Sequence, residues 1–451
     1  MANTNPLTNL NQETSIRASS MDHSLEDVTI NFRSLHIIRA DETECSTGTN
    51  LNRCETCDRG DDQYSQVKTI IRQKIEEVLD EGNSADLKKR GSINVSQAGP
   101  SYQPQKNFEF YRAWRERDSI DCDAELRQRI AKLALDQQGS QWLQTKLDED
   151  DKQTTDRIFG GIFVYMYDVM SNEHGSHVFA RLIERCDESQ LQLIVSMINL
   201  QSQPFAKLLF SKHGANSAKR LIKVLGKSSL VSVSNIISIL ARHFVWMMAD
   251  RIACSVVLKC FDSLNVHQNQ TLYEELAKNC LALATDDEGC IALKESIDYI
   301  KGPHRDQLLD KISTHALFLS QDPSGNYVVQ RVLGLQNPFF TNKICLALVG
   351  NFVNLSMQKS ASHVVEKCLK TSFGLDRVLS DFNAYDKLWE VARNKYGNYV
   401  IQRALEQAQT AKSPYYEKLV TKLCGDVEKW EKGYGRNIYY MILNSQRESK
   451  C

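Results

Sequence analysis

At 451 residues the chain has the length of about three domains on size alone, and its 42% hydrophobic and 25% charged residues exclude a wholly disordered or fibrous protein. No apolar run approaches the roughly 18 residues that cross a bilayer, and Met1 to Gln12 lacks the basic and apolar regions of a signal peptide; a cytoplasmic or nuclear chain without a membrane segment is expected. Net charge is near zero but unevenly placed, with 11 Lys/Arg against 16 Asp/Glu in residues 1–105 and 44 against 40 in 106–451; a mildly positive body can accept a polyanion, though so small an excess does not by itself specify nucleic acid.

Residues 1–63 are rich in Asn, Thr, Ser and Asp without a sustained apolar period, and are expected to be disordered. Val67, Ile70, Ile71, Ile75, Val78 and Leu79 recur at helical spacing and predict one amphipathic helix within 66–80, for which docking on its own body is favoured over binding a partner. The Gly-, Ser-, Lys- and Pro-containing stretch 81–105 reads as a linker, so the acidic region 1–105 precedes a folded body at 106–451.

The body repeats. Segments align on one small residue: Gly139, Gly175, Gly214, Ala253, Gly289, Gly325, Ala361, Gly397 and Gly435, at intervals of 36 to 39 residues. Three residues before the anchor stand Asp136, Asn172, Ser211, Asp250, Asp286, Asp322, Gln358 and Asn394, all but Gln358 favoured N-caps, which places each anchor in the first turn of a helix. Pro323 after Asp322 suits a helix start. Four and eight residues after every anchor the residue is apolar, from Leu143 and Leu147 to Tyr439 and Leu443, so each helix carries one buried stripe. Between successive helices there is room for one or two more. Units of this size cannot bury their faces alone, and an all-α solenoid follows, as one array rather than three domains.

On a helix at about 100° per residue the stripe centres near 20°, whereas plus one, plus two and plus five lie near 100°, 200° and 140° and are expected to face away from the core. In the sixth unit these are Asn326, Tyr327 and Gln330, in the seventh Ser362, His363 and Glu366, and in the eighth Asn398, Tyr399 and Gln402. An ordinary solvated face favours Lys, Glu and Ala. Short polar and amide groups four apart, flanking a ring, suit a splayed nucleotide: Asn and Gln match the O2, N3–H and O4 edge of uracil, a carboxylate suits the N1–H and N2–H₂ donors of guanine, and the ring stacks between bases.

At these residues the chain resembles the Pumilio (PUF) family of single-stranded RNA-binding proteins. Gly325-Asn-Tyr-Val-Val-Gln-Arg331, Ala361-Ser-His-Val-Val-Glu-Lys-Cys368 and Gly397-Asn-Tyr-Val-Ile-Gln-Arg403 are similar to that family's sixth, seventh and eighth repeats. The resemblance covers about residues 106–451 and implies a crescent of eight repeats with flanking caps, binding RNA antiparallel on the concave face with the last repeat on the 5′ base. It further implies a monomeric regulator, without cofactor, that binds UGU-containing messenger RNA in 3′ untranslated regions and recruits translational repressors or a deadenylase complex.

The first repeat keeps Ser140 and Gln144, similar to a family adenine reader, with Gln141 at the stacking place. Repeats two to five carry Ser176/Ala180, Ala215/Lys219, Cys254/Leu258 and Cys290/Lys294, none an intact pair. His177 holds a stacking position, whereas Asn216, Ser255 and Ile291 replace stacking groups; looser binding is expected there, with Lys219 and Lys294 meeting phosphates. The competing class is an armadillo- or HEAT-like protein scaffold, which has no reason to keep three intact trios.

Other signals are weaker. Cys54-Glu-Thr-Cys57 has half a zinc site's spacing, which Cys45 with His36 could in principle complete, but no second paired motif follows. His174 and His177, three apart on a helix, are accounted for by the repeat rather than by a metal. The 13 cysteines are scattered and odd in number, which predicts reduced thiols. Cys254, Cys260, Cys290 and Cys368 fall on repeat helices, where packing is the expected role. With no Gly-rich phosphate loop and no convergent acid/base set, an enzyme is not expected.

Overall fold

The computed structural model describes residues 124–448 apart from Ser229. The acidic region, the helix expected within 66–80, and Cys54 and Cys57 lie outside the described residues. Within them every regular element is helical, and the fold is the all-α solenoid that the repeat predicts.

Most units contribute a short helix, an anchor helix and a rear helix. The sixth is representative, with Ala316–Gln321, Gly325–Gly334 and Pro338–Leu348. The anchor helices of the eight units are Gln137–Asp148, Gly175–Arg185, Lys212–Leu225, Cys254–Ser263, Gly289–Tyr299, Gly325–Gly334, Ala361–Cys368 and Gly397–Thr410, and a ninth, Arg436–Glu448, ends the row. Each packs on the next in order. The rear helices form a second row from Glu188–Leu200 to Tyr415–Gly425. Units four and five share the single helix Val266–Ala284, whose last turns stand where the other units have a separate short helix.

The residue three before the anchor closes the turn between short helix and anchor helix. Asp322 Oδ1 accepts from Ser324 N and Gly325 N at 2.8 and 2.7 Å, and Asn172, Asp250, Asp286 and Asn394 bond in the same way. Asp136 and Ser211 each accept from the anchor N–H alone. These caps satisfy backbone donors that have no partner in the helix. Pro323 lies in this turn, two residues ahead of the regular helix, rather than at its first position. Gln358, the exception, instead donates from its side chain to Gln321 of the preceding unit at 3.2 Å.

The anchor must be small because two helices meet there. A Cβ on Gly139, Gly175, Gly214, Gly289, Gly325 or Gly397 would stand 2.2 to 2.9 Å from the carbonyl oxygen six residues earlier, at the end of the preceding helix. None of these glycines has a positive φ. Close approach, not backbone freedom, is the requirement, and units four and seven accommodate Ala253 and Ala361 at the same place.

In the first eight units all sixteen residues at plus four and plus eight are buried. Each large one contributes roughly 1.5–3 kcal/mol relative to exposure. The ninth unit departs from the expected stripe: Tyr439 and Leu443 are half-buried, and Ile438 and Ile442 carry the buried face. No further helix stacks on this one among the described residues, so its apolar face turns toward its single neighbour. Inter-unit pairs such as Arg185 with Asp150 (2.6 Å) and Arg251 with Glu288 (2.9 Å) are solvent-facing and fix register more than they stabilise.

Candidate nucleic-acid interface

The anchor helices present a ladder of plus-two side chains, one per unit: Gln141, His177, Asn216, Ser255, Ile291, Tyr327, His363 and Tyr399. All are exposed except Ser255, which is half-buried. Tyr327 and Tyr399 expose 53% and 59% of their surface. At plus five, Gln144, Ala180, Lys219, Lys294, Gln330, Glu366 and Gln402 are half-buried, and Leu258 is buried.

The plus-one residues are not on an open face, contrary to the sequence expectation. Ser140, Ser176, Ala215, Cys290, Asn326, Ser362 and Asn398 are all buried, and Cys254 is half-buried. Plus one stands only about 80° from the centre of the apolar stripe, against about 120° for plus five and 180° for plus two, and the neighbouring anchor helix covers that edge. Exposure follows the angle once the stacking neighbour is included.

Buried polar groups need partners, and the plus-one side chains find theirs in the turn before them. Ser140, Ser176 and Ser362 donate to the carbonyl three residues back at 2.9, 3.0 and 3.3 Å. Cys254 and Cys290 do the same through sulfur. Asn326 donates to Asp322 O and Pro323 O at 2.9 and 2.7 Å and accepts from Gln330 Nε2 at 3.0 Å. Asn398 repeats this with Asn394 O, Lys395 O and Gln402. Each Gln keeps one N–H and its Oε1 for an incoming group. In unit one Gln144 donates to Ser140 O at 3.2 Å, so its amide is held by the backbone.

Unit seven differs in charge. Glu366 carries a carboxylate where units six and eight have amides, and its Oε1 lies 3.6 Å from His363 Nδ1. Lys294 reaches into the next unit, with Nζ 5.3 Å from the centroid of the Tyr327 ring. That contact was not visible in the repeat pattern. Lys219 is half-buried, and burial lowers its ammonium pKa from the ordinary lysine value. Burial also pushes the Cys254 thiol up to about 11 and raises those of Cys260 and Cys290, which keeps them protonated and in packing roles. Among the described residues no group of three His, Cys, Asp or Glu side chains is placed to hold a metal ion, and no helix is long and apolar enough to cross a membrane.

Residues 103–377 match the NOP9-like PUF repeat domain, and residues 388–411 match the Pumilio-family RNA binding repeat. The chain belongs to the Pumilio (PUF) family. It is 35% identical over 288 residues to Pumilio homolog 12 of Arabidopsis thaliana, covering 63% of this chain and 48% of that protein. It therefore spans about half the length of that relative. Pumilio homolog 18 of the same plant is 32% identical over 285 residues, covering 62% of this chain and 86% of the homolog. Among solved structures, the Puf4 RNA binding domain bound to the HO endonuclease RNA 3′ UTR recognition sequence superposes with a TM-score of 0.62 at 25% identity, over 68% of this chain and 97% of that domain. The repeats of this PUF chain that hold intact trios are the sixth to eighth.

Proposed function

We propose that the anchor-helix face reads single-stranded RNA at one nucleotide per unit, with units eight, seven and six taking U, G and U from the 5′ end and unit one taking A. The observation that carries this is the alternation of Gln402, Glu366 and Gln330 on three adjacent helices beneath three exposed rings. Each Gln retains one donor and one acceptor, which fits N3–H and a carbonyl of uracil; the Glu366 carboxylate only accepts and fits the paired donors of guanine. Tyr399, His363 and Tyr327 stack the bases, worth about 1–3 kcal/mol each. Family membership, and the RNA bound to the similar Puf4 domain, support the ligand class.

On this reading the protein is a cytoplasmic post-transcriptional regulator that binds messenger RNA 3′ untranslated regions and brings repressors of translation or a deadenylase to them. Selection of bound RNA from a random pool tests the reading. It should return 5′-UGU, a less constrained middle of about four positions, and a final A, one base per repeat. An enriched motif lacking UGU overturns the assignment, and failure to enrich any RNA favours a protein-interaction scaffold. Loss of only the final A faults Ser140 and Gln144 alone.

A further inference from the structure

Unit five offers its exposed face a single strongly polar group. Cys290 at plus one is buried, with its thiol on Asp287 O at 3.2 Å, and Ile291 at plus two is apolar. Lys294 at plus five remains. A lysine on a helix can pair with an acid four residues on. That acid is present as Asp298, but Arg331 of unit six holds it. Lys294 forms no ion pair among the described residues; its ammonium lies against the ring of Tyr327, 5.3 Å from the centroid. A cation over an aromatic face is attracted by the ring quadrupole, so the donor group is held against Tyr327, which with Ile291 would bound the slot that one nucleotide per unit assigns to the fourth base.

We infer that Lys294 is the base-selecting residue of unit five, favouring cytosine first and adenine second over uracil and guanine. This rests on the reading proposed above. In units six to eight the plus-five side chain meets the ring nitrogen in the middle of the Watson–Crick edge, where uracil carries N3–H and guanine N1–H. An ammonium has donors and no acceptor, so either base sets a donor against a donor, which discriminates by repulsion. Cytosine presents O2 and N3 side by side as acceptors, and adenine presents N1. The remaining amino group, on N4 of cytosine or N6 of adenine, faces the Cys290 sulfur, a weak acceptor. Tyr327 serves both neighbours, stacking the third base on one side and holding the selecting ammonium on the other. Lys294 is thus a reader, where the sequence alone suggested a phosphate contact.

The test titrates the full chain and its Lys294→Met variant, at one salt concentration, against RNAs that share 5′-UGU and the downstream A and carry C, A, U or G as the fourth base. A fifth RNA carries UUU in place of UGU. Met keeps an unbranched stem and removes the charge; unchanged thermal unfolding establishes that the fold is kept. The unmodified chain should bind in the order C, A, then U and G, with about tenfold or more between first and last, the scale of one hydrogen-bonding mismatch. The variant should bind all four fourth-base RNAs within about twofold, since no donor remains to discriminate. Equal binding of the four by the unmodified chain overturns the inference. So does a variant that weakens all four by one factor, which marks a phosphate contact. If the UUU RNA is still rejected in those cases, the reading of units six to eight stands and only the role of Lys294 falls; if it binds as well as UGU, both fall.

Discussion

Gln402 Nε2 donates to Asn398 Oδ1 at 3.0 Å, and Asn398 gives its own N–H groups to Asn394 O and Lys395 O at 3.0 and 2.9 Å. The Gln402 amide of unit eight is therefore tied through a buried amide to the start of its own helix, and Gln330 in unit six is tied in the same way through Asn326. The buried Asn orients, and the half-buried Gln presents. This division separates two variants that a simple paired-reader picture treats alike. Asn398→Ser, which supplies the residue unit seven has, can still bond a carbonyl in the turn but cannot hold Gln402. It should leave folding nearly intact and lower the preference for uracil at the first base by about 0.5–1.5 kcal/mol, the net worth of one hydrogen bond. Titration against RNAs differing only at that base measures it, and an unchanged preference would mean that Asn398 does not orient Gln402.

The anchor glycines make a stability prediction. At Gly397 a Cβ would stand 2.5 Å from Val391 O and 2.8 Å from Val391 Cγ1, and the first of these is backbone that cannot turn aside. Gly397→Ala should cost roughly 1–3 kcal/mol by overpacking, despite the better helix propensity of alanine. At Gly334, where an added Cβ meets nothing within 4 Å, the same substitution should be neutral or stabilising by about 0.4–1 kcal/mol. Denaturant unfolding of the two variants side by side checks both signs.

The repeat frame was legible because three independent physical demands recur together. Asp322 must cap, Gly325 must be small, and Val329 and Leu333 must be apolar, and the same set returns every 36 to 39 residues. The burial of Asn326 and Asn398 was not legible, since a helical wheel treats the helix alone whereas the adjacent anchor helix covers the edge on which plus one stands. The surroundings of Lys294 were not legible for a related reason. Its contact with Tyr327 depends on the lateral offset between units and on Arg331 taking Asp298, and spacing along the chain encodes neither. The candidate trios themselves were visible because Tyr327 and Tyr399 are large rings on a face that a merely solvated helix would not give to rings.

Lys219 makes a contrasting prediction to Lys294. It sits at plus five of unit three beside an alanine, Ala215, that is fully covered, and the plus-two residue of the next unit, where Lys294 has Tyr327, is Ser255 rather than a ring. With nothing to set the ammonium against a base, its contribution should be sequence-independent attraction. Lys219→Ala should weaken every RNA by a similar factor and reduce the slope of log affinity against log salt by about one counterion's worth, roughly 0.7 for a single strand. Loss confined to one base at the corresponding position would show that Lys219 reads instead.

The sharpest prediction exchanges the specificity of unit seven. Ser362 is 2% exposed and bonds Lys359 O, while Glu366 is half-buried, and both stand between two units that use an Asn/Gln pair. The carbonyls that hold Asn326 and Asn398 lie four and three residues back, and unit seven has the equivalent groups on Gln358 and Lys359. Ser362→Asn therefore has a ready place for its amide, and Glu366→Gln can then be held as Gln330 and Gln402 are. Val364, Val365 and Leu369 remain in the core, so the double variant should unfold at nearly the same denaturant concentration. Its preference should move from UGU to UUU. On the proposed reading, the carboxylate that would accept both guanine donors is replaced by a group with one acceptor and one donor, at a penalty for the old sequence of about 1–3 kcal/mol. Titrating both proteins against both RNAs at one salt concentration gives the four affinities. A folded double variant that still prefers UGU would show that this helix face does not read the second base.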